Sequence, residues 1–523
     1  MIRKGIRSSF YFLIGLLVFG LTWSACKKLD NFEDYNITNV DAEFGIPLFK
    51  TGFSMQDLLV DFDERASLTF GTDGIITLQY TGEPVVRTSN ELFEVLSLVN
   101  NVPIPVLDTF TTLPFQAPNG VEIDSASLKT GGIQFGFSSD HPEDVSVTLI
   151  IPSLQKDGVP FQHTINASYF GSVPVFGAVL SPIDLAGYEL KVEDGLVFLR
   201  YEAIRQNGIA DTLANFFVIF SDLTASYVEG YLGTTVYELD RDTLAIDLLE
   251  TLNQGEIQFV DPRIHLTVDN SFGFPARSQT EVLNIFTRDD GVKQIESSLI
   301  SDGIDFAYPT LDEVGDLKRT RVSFDNSNSN IVSVVNAGPI AVDYKIDVLT
   351  NPDMQTEIRG FLTDTSELRA VLEVELPIYG SLAGLTASDT LRVDTFDFNI
   401  DLSEYGDPDY AEFKLVSENS IPLDIDLQLY FATELGIIVD SLYASPQRLV
   451  RAAEVDEDGF VTSSTRTETF SRMEYNRFQS LTKTKMLLMR TSFSSAENGT
   501  RNVRLLSDQK VDLGMGLKFG VNR

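Results

Sequence analysis

The sequence predicts an all-β protein built of tandem antiparallel β-sandwich domains with a few short packing helices. Three observations carry the prediction. Apolar and polar residues alternate with period two over many short runs. Tight-turn dipeptides separate the runs: Asp-Gly at 73, 157, 194, 290, 302 and 458, and Asn-Gly at 119, 207 and 498. Hydrophobic residues make up 43% of the 523 positions, enough to build packed cores in spite of a net charge of −37.

The chain opens with a basic head, Arg3, Lys4 and Arg7, followed by the apolar run "FYFLIGLLVFGLT" at 10–22. Small residues Ser24 and Ala25 then lead into Cys26, the only cysteine of the chain. A charged start, a short apolar stretch and small residues before a cleavage point form the pattern of a secretory signal peptide. The run is shorter than the ~20 residues that a membrane-spanning helix needs.

The "SAC" end of this segment resembles the lipobox of Bacteroidota-type bacterial lipoproteins, with Trp23 where Leu is usual. The resemblance implies cleavage before Cys26, a diacylglycerol on its sulfur and an acylated amine. Several acyl chains on one residue anchor stably, where a single chain binds only marginally. A protein so anchored belongs to the cell envelope, at the outer membrane, on either of its faces. With no second cysteine, internal disulfides are excluded.

Residues 1–25 carry three basic and no acidic side chains, so cleavage leaves the mature chain more acidic still. Such a surface repels nucleic acid, which is therefore not an expected partner. It can draw divalent cations, and weak Ca2+ binding is the only cofactor expectation. The expected partners are the membrane, through the anchor, and other envelope proteins or glycans.

Past the signal peptide (1–25) and a tether (26–44), the expected domains are 45–220, 221–350 and 351–523. Typical strands are "LEVEL", with Leu372, Val374 and Leu376 on one face and Glu373 and Glu375 on the other, and "FDFNIDL" at 396–402. Three helices are expected: after a capping box of Ser54 and Asp57, after Ser89 or Asn90, and over 467–481. The final "KVDLGMGLKFGVNR" reads as a last strand.

Two segments echo one another. "RIHLTVDNSFGFP" (263–275) and "EFKLVSENSIP" (412–422) each run from a strand through Asn-Ser to a Pro. Each is followed by a second strand, a Gly, and an acidic residue plus Ser, at Glu296-Ser297 and Asp440-Ser441. Either the unit is repeated or two unrelated strand-turn-strand units coincide. The pattern is similar to the small sandwich of the water-stress (late-embryogenesis type 2) family, whose Asn-Pro-like turn is here Asn-Ser.

Catalytic motifs are absent from the sequence. The three histidines, His141, His163 and His265, stand far apart, and no phosphate loop, G-x-S-x-G, H-E-x-x-H or C-x-x-C occurs. A structural or surface role is expected for each histidine, no catalytic residue and no metal ligand is assigned, and the chain is not expected to be an enzyme. "DEDG" (456–459) resembles part of a calcium loop but reads better as a hairpin turn. The function expected is that of an anchored scaffold or interaction protein. A glycan- or polymer-binding module is the alternative, and a hydrolase with a site assembled from distant segments comes third. Asp-Ser/Thr steps followed by a small or aliphatic residue resemble the O-glycosylation motif of exported Bacteroidota-type proteins. They imply acceptors at Ser125, Thr212, Thr243, Thr390 and Ser441.

Overall fold

The computed structural model describes residues 42–55, 66–89, 101–114, 120–246, 252–288, 290–387, 391–393, 410–474, 476–477 and 485–521. The fold is all-β. Among the described residues every strand pairing is antiparallel, and the helices are single turns such as Ile331–Val335, which buries Ile331, Val334 and Val335. The expected alternation is realised in Glu367–Pro377, where Leu372, Val374 and Leu376 are buried and Glu373 and Glu375 are half-buried.

Turn chemistry sets the register. The strands Val145–Lys156 and Val159–Ala167 are joined by Asp157-Gly158 alone, with φ of 53° and 76°. Two consecutive positive φ angles match the right-handed twist of the flanking strands, which is why Asp-Gly suits a two-residue hairpin. Asp194-Gly195 repeats the device with φ of 50° and 72°.

Among the described residues three hydrophobic cores result. The first packs Phe135, Leu149, Leu199 and Val218 beneath an 11-stranded sheet. The second lies between a sheet carrying Ile264, Leu266 and Val374 and one carrying Ile285 and Val342. The third lies between a four-stranded sheet (Phe413, Leu415, Val511, Leu517) and an eight-stranded one (Leu423, Phe431). Each fully buried aliphatic or Phe side chain contributes about 1.5–3 kcal/mol.

The cores do not divide the chain into blocks: the strand Asn215–Tyr231 runs through position 220, and strands far apart in sequence pair within one core. Ile76–Thr81 pairs with Glu367–Pro377 in the second sandwich. Ala42–Ser54 pairs with Lys510–Val521 in the third, Ala42 opposite Val521. A sheet edge binds whichever strand covers it, so pairing does not follow sequence distance. The first core is tied to the second where Gly360–Thr363 pairs with Asn215–Tyr231. Arg359 reinforces the junction with Glu122 (2.8 Å) and Asp124 (3.2 Å). Leu68, Ile378, Leu382 and Phe493 pack against both the second and third cores.

The echo between 263–275 and 412–422 is a structural repeat. Arg263–Asn270 runs between Lys318–Phe324 and Glu367–Pro377. Tyr410–Asn419 runs between Thr465–Glu474 and Lys510–Val521. Each strand ends in a fully buried Asn whose Oδ1 accepts the N–H two residues on, Phe272 (3.0 Å) or Ile421 (2.8 Å). The following Ser clips to the neighbouring strand. Ser271 donates to Glu367 O and accepts from Glu367 N, and Ser420 does the same with Lys510. The chain then crosses to the facing sheet, into Ala276–Thr287 or Leu423–Ala432.

One expected element is corrected. Where a helix is expected over 467–481, residues 467–474 belong to the strand Thr465–Glu474; 476–477 are helical, and the rest of the segment lies outside the described residues. Thr467 and Met473 point inward while Glu468, Phe470, Arg472 and Glu474 are exposed, a period of two. The strand pairs without interruption from Tyr410↔Glu474 to Asn419↔Thr465. A free sheet edge outweighed the weak helix spacing, and β-branched Thr465, Thr467 and Thr469 suit it. The helices expected after Ser54 and after Ser89 or Asn90, and the strand at 396–402, lie outside the described residues.

Candidate functional site

Antiparallel order gathers three connections at one end of the first domain. They are 140–144, following Glu122–Ser139; 168–174, following Val159–Ala167; and 206–214, following Leu196–Arg205. Hydrogen bonds lock them together. Tyr169 N donates to Asp144 Oδ1 (2.7 Å), Gln206 N to Asp144 O (2.8 Å), and Asn207 Nδ2 to Glu143 Oε1 (3.1 Å).

A histidine–carboxylate pair sits in this end. Asp211 has a side chain with no exposed surface, while His141 is 46% exposed. Asp211 Oδ2 accepts the Ser139 hydroxyl (2.5 Å), and Oδ1 lies 3.1 Å from His141 Nε2. A buried carboxylate thus orients an imidazole whose other nitrogen is directed away from it. The connections and the strand after them also leave apolar side chains exposed: Phe170 is 92% exposed and Phe176 73%, with Tyr169, Val173 and Ile209 also exposed. Buried polar atoms at the same end lack partners. Glu143 Oε2 and Arg205 Nε have no hydrogen bond, and Asp211 Oδ1 has only the contact with His141.

His265 is placed differently. It is buried on the outer face of the second sandwich, with Nδ1 2.7 Å from Ser323 Oγ and Nε2 2.7 Å from Glu375 Oε2. Arg263 donates to Glu375 Oε1 (3.2 Å) and is itself paired with Asp261. Beside them Arg321 meets Glu373 (3.1 Å) and Arg319 makes two bonds to Asp269 (2.6 and 2.8 Å). The sequence places Ser, His and Glu on three separate strands, and cross-strand register unites them. With both imidazole nitrogens engaged and the ring buried, the group rivets three strands together. His163 packs edge-on against Phe135.

The hydrogen bond from His265 is the main cause holding the Glu375 carboxyl below its ordinary range, with Arg263 and Arg321 acting in the same direction against burial. A carboxyl whose folded value is depressed stabilises the fold above its unfolded value of about 4.3 and loses that contribution as pH falls through the folded value. Glu375→Gln is therefore expected to lower the urea midpoint at pH 7 and to lose most of that deficit near pH 3. An equal deficit at both pH values, in denaturation curves of the two proteins, would show that the carboxylate charge is not what matters.

The implied O-glycan acceptors are dispersed. Thr212 is exposed in the loop end, and Thr243 is exposed on the strand Asp242–Ala245. Ser125 is half-buried between strands, and the Ser441 hydroxyl is donated to Tyr443 O (2.8 Å). Thr390, like Cys26, lies outside the described residues. "DEDG" forms a turn: Asp456 Oδ1 accepts Asp458 N and Phe460 N, while the carbonyls of Asp456 and Asp458 receive Arg501 and Arg504. Guanidinium groups stand where a cation loop would need its oxygens free.

Two cavities among the described residues are apart from these groups. One, of about 20 Å³, is lined by Phe272, Phe274 and Leu368. The other is an open hollow of about 380 Å³ lined by Asp290, Lys293, Glu296 and Asn330. Neither contains a histidine. Among the described residues no helix is long and apolar enough to cross a membrane.

No family model matches the chain, and no curated protein matches it. Among solved structures it is similar to a Parabacteroides distasonis protein described as a "putative secreted protein". Identity is 10%, with 92% of this chain and 100% of that chain covered, at a TM-score of 0.32. It is also similar to the VP2 subviral particle of infectious bursal disease virus, at 11% identity over 76% and 72% of the two chains, with a TM-score of 0.14. Likeness at this level equates no residues and carries no activity across.

Proposed function

We propose that the chain is a lipid-anchored cell-envelope protein of the outer membrane that acts as a scaffold and presents its first domain to a partner. Cys26 carries the acyl chains in this reading. Its main structural support is the return of Ala42–Ser54 to the last strand, Ala42 opposite Val521. The tether therefore joins the third sandwich, while the first core meets the second at the Gly360–Thr363 strand. Residues 26–41, fully extended, span at most about 55 Å. The third sandwich then lies nearest the membrane, and the loop end belongs to the domain furthest along the series of cores.

The acidic surface suits this arrangement, because a body more acidic than the full chain's net charge of −37 is repelled by anionic headgroups and is held there only by its anchor. Two acyl chains or more are needed for such a hold. Fractionation tests the proposal. The wild-type protein is expected in the membrane pellet after washing with alkaline carbonate, and Cys26→Ala in the soluble fraction. Wild-type protein in the soluble fraction, or an unmoved Cys26→Ala, would overturn it.

A further inference from the structure

We infer that the hairpin tip at 433–439 in the third sandwich dips into the lipid surface that holds the anchored chain, and so fixes how the body stands on it. The inference rests on the proposed anchor at Cys26 for its setting. Two observations carry it: what the tip is made of, and which end of the sandwich it occupies.

The tip joins Leu423–Ala432 to Ile438–Ser441. Leu435 is 86% exposed and Ile437 63%, with Ile438 and Val439 also exposed. Other tips of the chain carry charge, Lys156-Asp157-Gly158 and Glu457-Asp458-Gly459 among them. Sheet edges are normally blunted by charged side chains, and a contiguous apolar patch left in water marks a surface that something else covers. The backbone holds this patch in shape. Gly436 N donates to Thr433 O (2.8 Å), Thr433 N to Ile437 O (2.9 Å) and Ile437 N to Thr433 Oγ1 (3.3 Å). Gly436, at φ 79°, supplies the left-handed residue that such a turn requires. The register then shifts between Phe431↔Asp440 and Ala432↔Ile438, so Val439 bulges beside Ile438. A turn whose backbone groups bond one another can enter the boundary between headgroups and acyl chains, where open backbone could not.

Strand pairing sets the position of the tip. Ala42, where the tether enters, lies in one row with Tyr410 and Glu474 across the four-stranded sheet. Ala42 faces Val521, and Tyr410 lies between Gly520 and Glu474. From this row Tyr410–Asn419 runs to the far end, the chain crosses, and Leu423–Ala432 returns in the facing sheet. The tip therefore emerges at the end where the tether enters. Arg477, three residues past Glu474, closes the two sheets there. Its guanidinium donates to both carboxylate oxygens of Asp440 (2.8 Å each) and to Ser441 O. The joins to the second sandwich lie at the opposite end, where Met55 N donates to Gln509 O (2.8 Å) and Ile76 N to Leu505 O (2.9 Å).

Tether and tip thus face the same surface. Residues 26–41 keep Ala42 within about 55 Å of the acylated Cys26. Once the acyl chains are seated, the tip meets the membrane as part of an attached molecule, so a contact too weak to hold a free protein suffices. Charge permits the approach. Asp440 is paired with Arg477, and the exposed Lys485 stands at the base of the hairpin, where its N–H donates to Ala432 O (3.0 Å). Glu434 is the other acid of 432–440. The acyl chains supply the hold, and the tip supplies the orientation.

The test is quenching, by labelled lipid, of a dye placed on the tip. Leu435→Cys replaces a side chain that is in water, and an acylated Cys26 offers no competing thiol. The lipidated chain, carrying the polarity-sensitive dye NBD at 435, is reconstituted into vesicles of phosphatidylethanolamine and phosphatidylglycerol that contain nitroxide-labelled lipid. Blue-shifted emission, severalfold stronger than that of the unfolded chain in solution and quenched by the nitroxide, is expected. The same dye at Asp508→Cys, exposed in a turn at the opposite end, should show neither change. Unshifted emission at 435, or equal quenching at 435 and 508, would overturn the inference. Blue-shifted emission without quenching would overturn it as well, because a second copy of the chain or another protein would then cover the tip. A Cys26→Ala chain with a histidine tag ahead of residue 26, held on nickel-chelating lipid, separates the tip from the anchor. Quenching at 435 is expected there too, and its absence would count against the tip whatever the state of the native Cys26.

Discussion

Asn419→Ala is expected to destabilise the third sandwich by about 3–5 kcal/mol, the amount that several stranded backbone groups cost when buried. The side chain is fully buried. Its Nδ2 serves the carbonyls of Ile421 (2.8 Å), Leu423 (3.2 Å) and Arg451 (2.8 Å), and its Oδ1 accepts Ile421 N. Alanine leaves those groups without partners and opens the turn that carries the chain between the two sheets. The counterpart Asn270 serves Ala307 O (3.1 Å) and Phe272 N (3.0 Å), so Asn270→Ala should cost the second sandwich less, about 2 kcal/mol. A multi-core chain need not unfold in one step, so amide hydrogen exchange is the suitable measurement. Peptides covering 410–432 should lose protection in Asn419→Ala while those covering 122–167 keep theirs. Equal loss everywhere, or none, would contradict the account of the turn.

Gly380→Ala should have an effect of similar size for a different reason. Gly380 faces Phe259 on one side and Val503 on the other, where Tyr379–Ala387 is pressed between two neighbouring strands. A Cβ built there would lie 1.8 Å from Gln258 O. The obstacle is backbone, which cannot rotate away, so the strands must separate and lose ladder bonds. Overpacking of this kind costs about 3 kcal/mol or more. Reduced urea resistance of the third sandwich, followed by exchange in 252–259 and 486–495, is the expected result. A variant indistinguishable from wild type would show that the strand spacing there is slack.

The sequence carried the fold class because its signals are local. Alternation in "LEVEL" and positive-φ turns at Asp157-Gly158 need only neighbouring residues. The Asn-Ser echo was visible as letters, but its meaning lay in partners far along the chain, Glu367 and Lys510. The strand Thr465–Glu474 was misread because "TETFSRMEYNRF" spaces its apolar residues loosely enough for a helix, and only the edge of Tyr410–Asn419 decides the matter. The same limit hid the loop end. His141 and Asp211 are 70 positions apart, as two lines of sequence show, and nothing local says that antiparallel strands bring them to 3.1 Å. Exposure was equally invisible, since Phe170 reads as one more core aromatic until the strands around it are placed.

The anchor at Cys26 supports the whole functional reading, and one measurement bears on it most directly: the mass of the N-terminal peptide of the mature protein from native membranes. The account predicts a peptide that begins at Cys26 and carries a diacylglyceryl group on sulfur with a further acyl chain on the amine. A peptide beginning elsewhere, or at an unmodified Cys26, would contradict it.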